Sequence, residues 1–69
     1  MEVRRRLAMN IKRLRAEQAL SQEELAERAS LHRTYISGVE RAVRNPTITV
    51  LEKIAVALGV PLADLVAAD

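Results

Sequence analysis

The stretch Ser21-Gln22-Glu23-Glu24-Leu25-Ala26-Glu27-Arg28-Ala29-Ser30-Leu31-His32-Arg33-Thr34-Tyr35-Ile36-Ser37-Gly38-Val39-Glu40-Arg41 decides the fold. Ser21 with Glu24 three residues on fits a capping box: the serine hydroxyl takes the Glu24 N–H and the glutamate returns to the Ser21 N–H. A helix is expected from about 22 to 29, with Leu25, Ala26 and Ala29 inward. Ser30 and Leu31 break its period, and another helix of about 32 to 41 follows at once, His32 standing at its N-cap. At about 100° per residue, Arg33, Thr34, Ser37, Gly38 and Arg41 share one side of this helix, while Tyr35, Ile36, Val39 and Glu40 share the other. The polar side is an odd choice for solvent. Exposed helix faces favour Glu, Lys and Gln, whereas this one sets arginines among short side chains and carries Gly38, at a cost of about 1 kcal/mol relative to Ala. Small side chains there suit the close approach of another surface.

The rest of the chain builds around this pair. Val3, Leu7, Ile11 and Leu14 recur at helical spacing and predict a first helix over about 3 to 18. Residues 42 to 46 read as loop, because Pro46 disfavours helix at Asn45. A fourth helix is expected from Thr47 or Ile48, burying Ile48, Leu51, Ile54, Ala55 and Leu58 and stopping at Gly59, a residue suited to a left-handed cap. Pro61 opens a short fifth helix, about 62 to 67, with Leu62, Leu65 and Val66. With no β-patterned run and no repeat, the expectation is all-α: a compact five-helix domain spanning 1–69 as a single unit.

Composition narrows the chemistry. The 69 residues contain no Cys, one His, two Gly and one aromatic residue, Tyr35. A zinc finger, a thiol nucleophile and a three-histidine metal site are excluded. Two separated glycines do not make a phosphate-cradling loop, and one aromatic does not make a stacking platform for single strands. So short a chain has little room to enclose a pair of catalytic carboxylates, so no enzyme, cofactor or metal is expected. The start lacks the apolar run of a secretory signal, and Gly59 and Pro61 interrupt the longest weakly polar run. A soluble protein is expected, with no membrane partner.

Charge is sorted along the chain. The net charge is +2, from 11 Lys+Arg against 9 Asp+Glu. Arg4, Arg5, Arg6, Lys12, Arg13 and Arg15 precede a purely acidic stretch with Glu17, Glu23, Glu24 and Glu27; Arg28, Arg33, Arg41 and Arg44 follow, and the C-terminal third carries Asp64 and Asp69. Taken singly, each charge reads first as part of a salt-bridged surface. A polyanionic partner is favoured only where the bases converge on one face.

Gln22-x-x-Leu25-Ala26-x-x-Ala29-Ser30-Leu31-x-x-x-x-Ile36-x-x-Val39 resembles the helix-turn-helix of the Xre family, the Cro and phage-repressor type. Leu31 to Arg41 with Arg44-Asn45-Pro46 is similar to controller proteins of restriction-modification systems. The resemblance runs over about residues 7 to 66 and implies the phage-repressor DNA-binding fold, with the helix-turn-helix at about 22–41. It also implies a transcriptional regulator of double-stranded DNA. By resemblance and by the helical wheel, Arg33, Thr34 and Ser37 read base edges, Arg33 bridging guanine O6 and N7; a phosphate contact alone is the other reading of Arg33. Gln22, Arg41, Arg44, Asn45 and Thr47 are candidates for the DNA backbone, an exposed helix-start residue being the other reading of Gln22. Tyr35 divides evenly between core and backbone contact. Arg15 and Glu40 match a pair that in this family bridges the first and third helices, which would leave Arg33, Arg41 and Arg44 with no acid among them. The family usually has glycine near positions 19, 30 and 42, where this chain has Ala19, Ser30 and Ala42.

One recognition helix reads too few base pairs for specificity, and members of this family act as homodimers on palindromic sites. The apolar residues Val50, Val56, Val60, Leu62 and Val66 exceed the core stripes and read either as a dimer face or as completion of the monomer core. No residues remain for an effector domain, so no small-molecule effector is expected. The implied location is cytoplasmic, in a bacterium or encoded by a phage, at the nucleoid. A protein-binding role, as in an antitoxin that neutralises a partner and autoregulates, is the alternative.

Overall fold

The computed structural model describes residues 2–68; Asp69, counted above with the acidic C-terminal third, lies outside them. Five helices follow in order: α1 (Val3–Glu17), α2 (Gln22–Ala29), α3 (Arg33–Glu40), α4 (Ile48–Leu58) and α5 (Leu62–Val66). The all-α five-helix expectation is met. The Ser21–Glu24 capping box forms in both directions, with Glu24 N–H to Ser21 Oγ at 3.0 Å and Ser21 N–H to Glu24 Oε1 at 2.9 Å. These bonds hold the Glu24 carboxyl below its ordinary value. The box therefore supports α2 at neutral pH and is lost as acid protonates Glu24.

Leu7, Ile11 and Leu14 of α1 meet Leu25, Ala26 and Ala29 of α2, Ile36 and Val39 of α3, Ile54, Ala55 and Leu58 of α4, and Leu65 of α5 in one core. Ala26 is buried in α2, which packs against α3, and Leu31 packs in from the turn between them. Two stripe positions depart from expectation. Ile48 is 69% exposed and Val3 49%. Both open their helices. Residues 2 to 5 and 47 to 49 are all exposed, so the first turns of α1 and α4 stand beyond the edge of the core. Leu20 is buried instead, although no periodic stripe contains it.

The burial of Leu20 follows from how the helices stop. Four helices end in one pattern, an N–H reaching back five residues: Leu20 to Arg15 O, Leu31 to Ala26 O, Val43 to Gly38 O and Val60 to Ala55 O, at 2.9–3.0 Å. Each stop needs a left-handed residue just before its apolar one, as in a Schellman cap. Those residues are Ala19 (φ 56°), Ser30 (58°), Ala42 (61°) and Gly59 (69°). The turns for which the resemblance implies glycine at 19, 30 and 42 thus form, with side chains forced into the left-handed region. Each such non-glycine residue costs roughly 1–2 kcal/mol, against about 0.4–1 kcal/mol recovered from the stiffer unfolded chain. Ala42→Gly is expected to raise the melting temperature by a few degrees, since about 1 kcal/mol corresponds to roughly 4–8 °C in a domain of this size. A fall on thermal denaturation would show that the turn is unstrained.

Candidate nucleic-acid interface

The outward face of α3 is anchored from behind by Glu40, at the last turn of that helix. Its carboxylate is 2% exposed and accepts from Arg15 Nε (2.8 Å), Arg15 Nη2 (2.9 Å) and Gln22 Nε2 (3.1 Å). Arg15 also donates Nη1 to Leu20 O at 2.8 Å, so one guanidinium ties α1 to α3 and to the turn before α2. The hydrogen-bonded carboxylate raises the pKa of Arg15. The expected Arg15–Glu40 bridge is therefore present, and it is a two-pronged pair with a third donor. Gln22, expected as a phosphate ligand, spends one amide N–H on Glu40; its other N–H and the helix start remain available to an anion.

On the outer side, Arg33 and Thr34 are exposed at the first turn of α3 and Ser37 is half-buried one turn on. Arg33 has a neighbour that the charge pattern did not reveal. Glu23 Oε2 of α2 lies 3.8 Å from Arg33 Nη1, so the expectation of an acid-free arginine surface is corrected. The first turns of α2 and α3 lie side by side, and both groups are largely exposed, where such pairs contribute little.

Gly38 is also reassigned. It is buried, and its missing side chain makes room for this chain's own Arg44: a Cβ there would stand 2.7 Å from Arg44 Cγ. Arg44 crosses that gap and lies over the Tyr35 ring, its Cζ 5.6 Å from the centroid, within cation–π range. Tyr35 packs its half-buried ring against the core, as one of its two readings expected. The sequence placed Gly38 and Arg44 separately, and only the folded turn brings them together. Arg41 and Asn45 are exposed beside this turn. Thr47 caps α4, its Oγ1 accepting from Val50 N–H at 3.3 Å, which leaves its hydroxyl proton free to donate.

Away from that face, α1 and its C-cap residue Gln18 carry polar side chains that periodicity does not flag. Asn10 is 7% exposed, Gln18 Nε2 donates to Leu58 O at 2.6 Å, and Arg6 donates inward to Val66 O at 2.8 Å. An Asn within a Leu7–Ile11–Leu14 stripe was the one available signal. Of the candidate dimer residues, Val50, Val60, Leu62 and Val66 are half-buried and Val56 is 69% exposed. No helix among the described residues is long and apolar enough to cross a membrane.

A polar, arginine-bearing helix held outward by a buried ion pair and preceded by a tightly turned partner helix defines a helix-turn-helix DNA-binding regulator. The chain belongs to the helix-turn-helix family, whose model matches residues 11–65. Control protein C.SmaI of Serratia marcescens is 45% identical over 65 residues, covering 94% of this chain and 77% of that protein. The crystal structure of a hypothetical transcription factor, NHTF, from Neisseria superposes with a TM-score of 0.93 at 42% identity, over 96% of this chain and 76% of that one. The restriction-modification controller protein C.Esp1396I, solved as a tetramer with its natural 35 base-pair operator, superposes at 0.84 with 43% identity, over 88% and 80% of the two chains. The Xre-type resemblance read from Gln22 to Val39 is borne out.

Two substitutions test the geometry. Glu40→Ala would leave Arg15 without its partner and is expected to destabilise the domain by about 3 kcal/mol, the lower part of the range for broken buried pairs because Arg15 still meets water; an unchanged melting temperature would remove the pair from its structural role. Gly38→Ala is expected to dislodge Arg44 from Tyr35 while sparing helix stability, because Ala favours α3 by about 1 kcal/mol. Tyr35 is the sole aromatic residue, so near-ultraviolet circular dichroism reads that displacement directly.

Proposed function

We propose that this chain is a sequence-specific regulator of transcription that acts as a homodimer on a palindromic operator in duplex DNA, of the restriction-modification controller type, with residues 1–69 forming one cytoplasmic domain. The observation that carries this reading is the outward face of α3, where Arg33 and Thr34 are exposed on a helix fixed from behind by Arg15 and Glu40. Arg33 is assigned to guanine O6 and N7, Thr34 and Ser37 to neighbouring base edges. Gln22, Tyr35, Arg41, Arg44, Asn45 and Thr47 frame the two ends of that face and are assigned to phosphates and sugars. Arg44 would reach the backbone from its seat on Tyr35, so little loop entropy is lost on binding.

Dimerisation rests on size and surface. The domain measures 28 × 21 × 20 Å, so two copies side by side can set their recognition helices about one helical turn, roughly 34 Å, apart. Val50, Val60, Leu62 and Val66 supply the apolar face, and a symmetric pairing uses it twice. The operator-bound tetramer of the similar controller protein supports assembly on DNA. With no effector ligand in this scheme, occupancy follows protein concentration through linked dimerisation and DNA binding.

Selection from random duplexes followed by salt titration tests the reading. A palindromic site and a steep fall of affinity with salt are expected, and Arg33→Ala should cost about 1–3 kcal/mol and relax preference at one base position in each half-site. Equal binding to all sequences, before and after that substitution, would refute readout by α3.

A further inference from the structure

At five residues, α5 is too short to be held by its own hydrogen bonds. Its end is fastened by α1. Asn10 Nδ2 donates to Leu65 O at 2.9 Å and to Ala67 O at 3.0 Å, and Arg6 Nε donates to Val66 O between them at 2.8 Å. Three consecutive carbonyls thus end on two side chains one turn apart on α1. Burying an amide in an apolar stripe is unfavourable unless its donors are matched, and both Asn10 donors are. The same clamp fixes the rotation of α5. Leu65 is wholly buried, which leaves Leu62 and Val66 half-exposed on the candidate dimer face beside Val60.

We infer that Asn10, assisted by Arg6, is a positioning residue for self-association. Its carbonyl clamp presents Val60, Leu62 and Val66 to a second copy of the chain as a preformed surface, so that α5 is ordered before the copies meet. This rests on the homodimer reading above. It also removes Arg6 from the basic N-terminal cluster that faces solvent, because its Nε is committed to Val66 O.

The test compares the wild-type chain, Asn10→Asp and Arg6→Ala in three measurements: sedimentation equilibrium, binding to a duplex carrying one half-site, and amide hydrogen exchange. In Asn10→Asp a carboxylate faces two carbonyl oxygens and α5 is released in the monomer; the dimer dissociation constant is expected to rise about tenfold or more, because α5 must then be re-ordered, with those acceptors unpaired, each time two copies meet. Exchange should accelerate over 62–66 while α2 and α3 keep their protection, and half-site affinity should stay within about twofold because those helices do not share the clamp. Arg6→Ala should weaken dimerisation less and leave the salt dependence of DNA binding unchanged; a slope reduced by about one would make Arg6 a phosphate contact instead. Unchanged exchange over 62–66 would overturn the clamp, and unchanged dimerisation with fast exchange there would overturn its role in association. Parallel loss of half-site binding and dimerisation would reduce Asn10 to general stability. If Asn10→Asp does not fold, the Arg6→Ala arm decides. A wild-type chain that stays monomeric at high micromolar concentration would instead refute the homodimer reading, and exchange would still report on the clamp.

Discussion

A carboxylate removed from water has to be answered by donors, and Glu40 is answered by three. The cost of burying it is met because Arg15 approaches with two parallel N–H groups and Gln22 adds a third. The pair fixes the depth and rotation of α3, so the recognition helix cannot roll without breaking bonds to α1 and α2 together. The pair is itself neutral and leaves the net charge at +2, but it changes where the charges lie. One of the acids is consumed internally, so the outward side of α3 carries arginine and hydroxyl groups. Glu23 alone intrudes, loosely, on Arg33. A polyanion can displace so weak and exposed a partner at little cost.

Much of this was legible in the residues. The capping box, the Ser30-Leu31 break and the Gly59 stop each have a local cause, and each appears where it was expected. The periodic stripes predicted the core from Leu7 to Leu65 but overran at Val3 and Ile48, because periodicity says which way a side chain points and not whether the core extends that far. Asn10, Gln18 and Arg6 could not be assigned from sequence, since their partners are backbone carbonyls 40 to 60 residues away and carbonyls leave no trace in residue identity.

Gly38 shows the same limit at the site itself. A small residue on the outward side of a recognition helix suggests that something approaches, and something does, but it is the stem of Arg44. The loop after α3 is thereby laid against the helix by a seat and a stacked ring. The polar face narrows to Arg33, Thr34 and Ser37, flanked by a guanidinium with limited freedom. Affinity and discrimination would thus come from neighbouring but separable groups.

The left-handed stops carry a consequence of another kind. Three of the four hold a side chain where glycine would be unstrained, and their summed net cost of order 1–3 kcal/mol weighs heavily on a domain whose whole stability is about 3–10 kcal/mol. Alanine and glycine codons differ at a single base, as do some serine and glycine codons. In evolutionary terms the chain therefore holds a reserve: several one-nucleotide changes at Ala19, Ser30 or Ala42, none of them on α3's outer face, could offset a destabilising substitution acquired on that face.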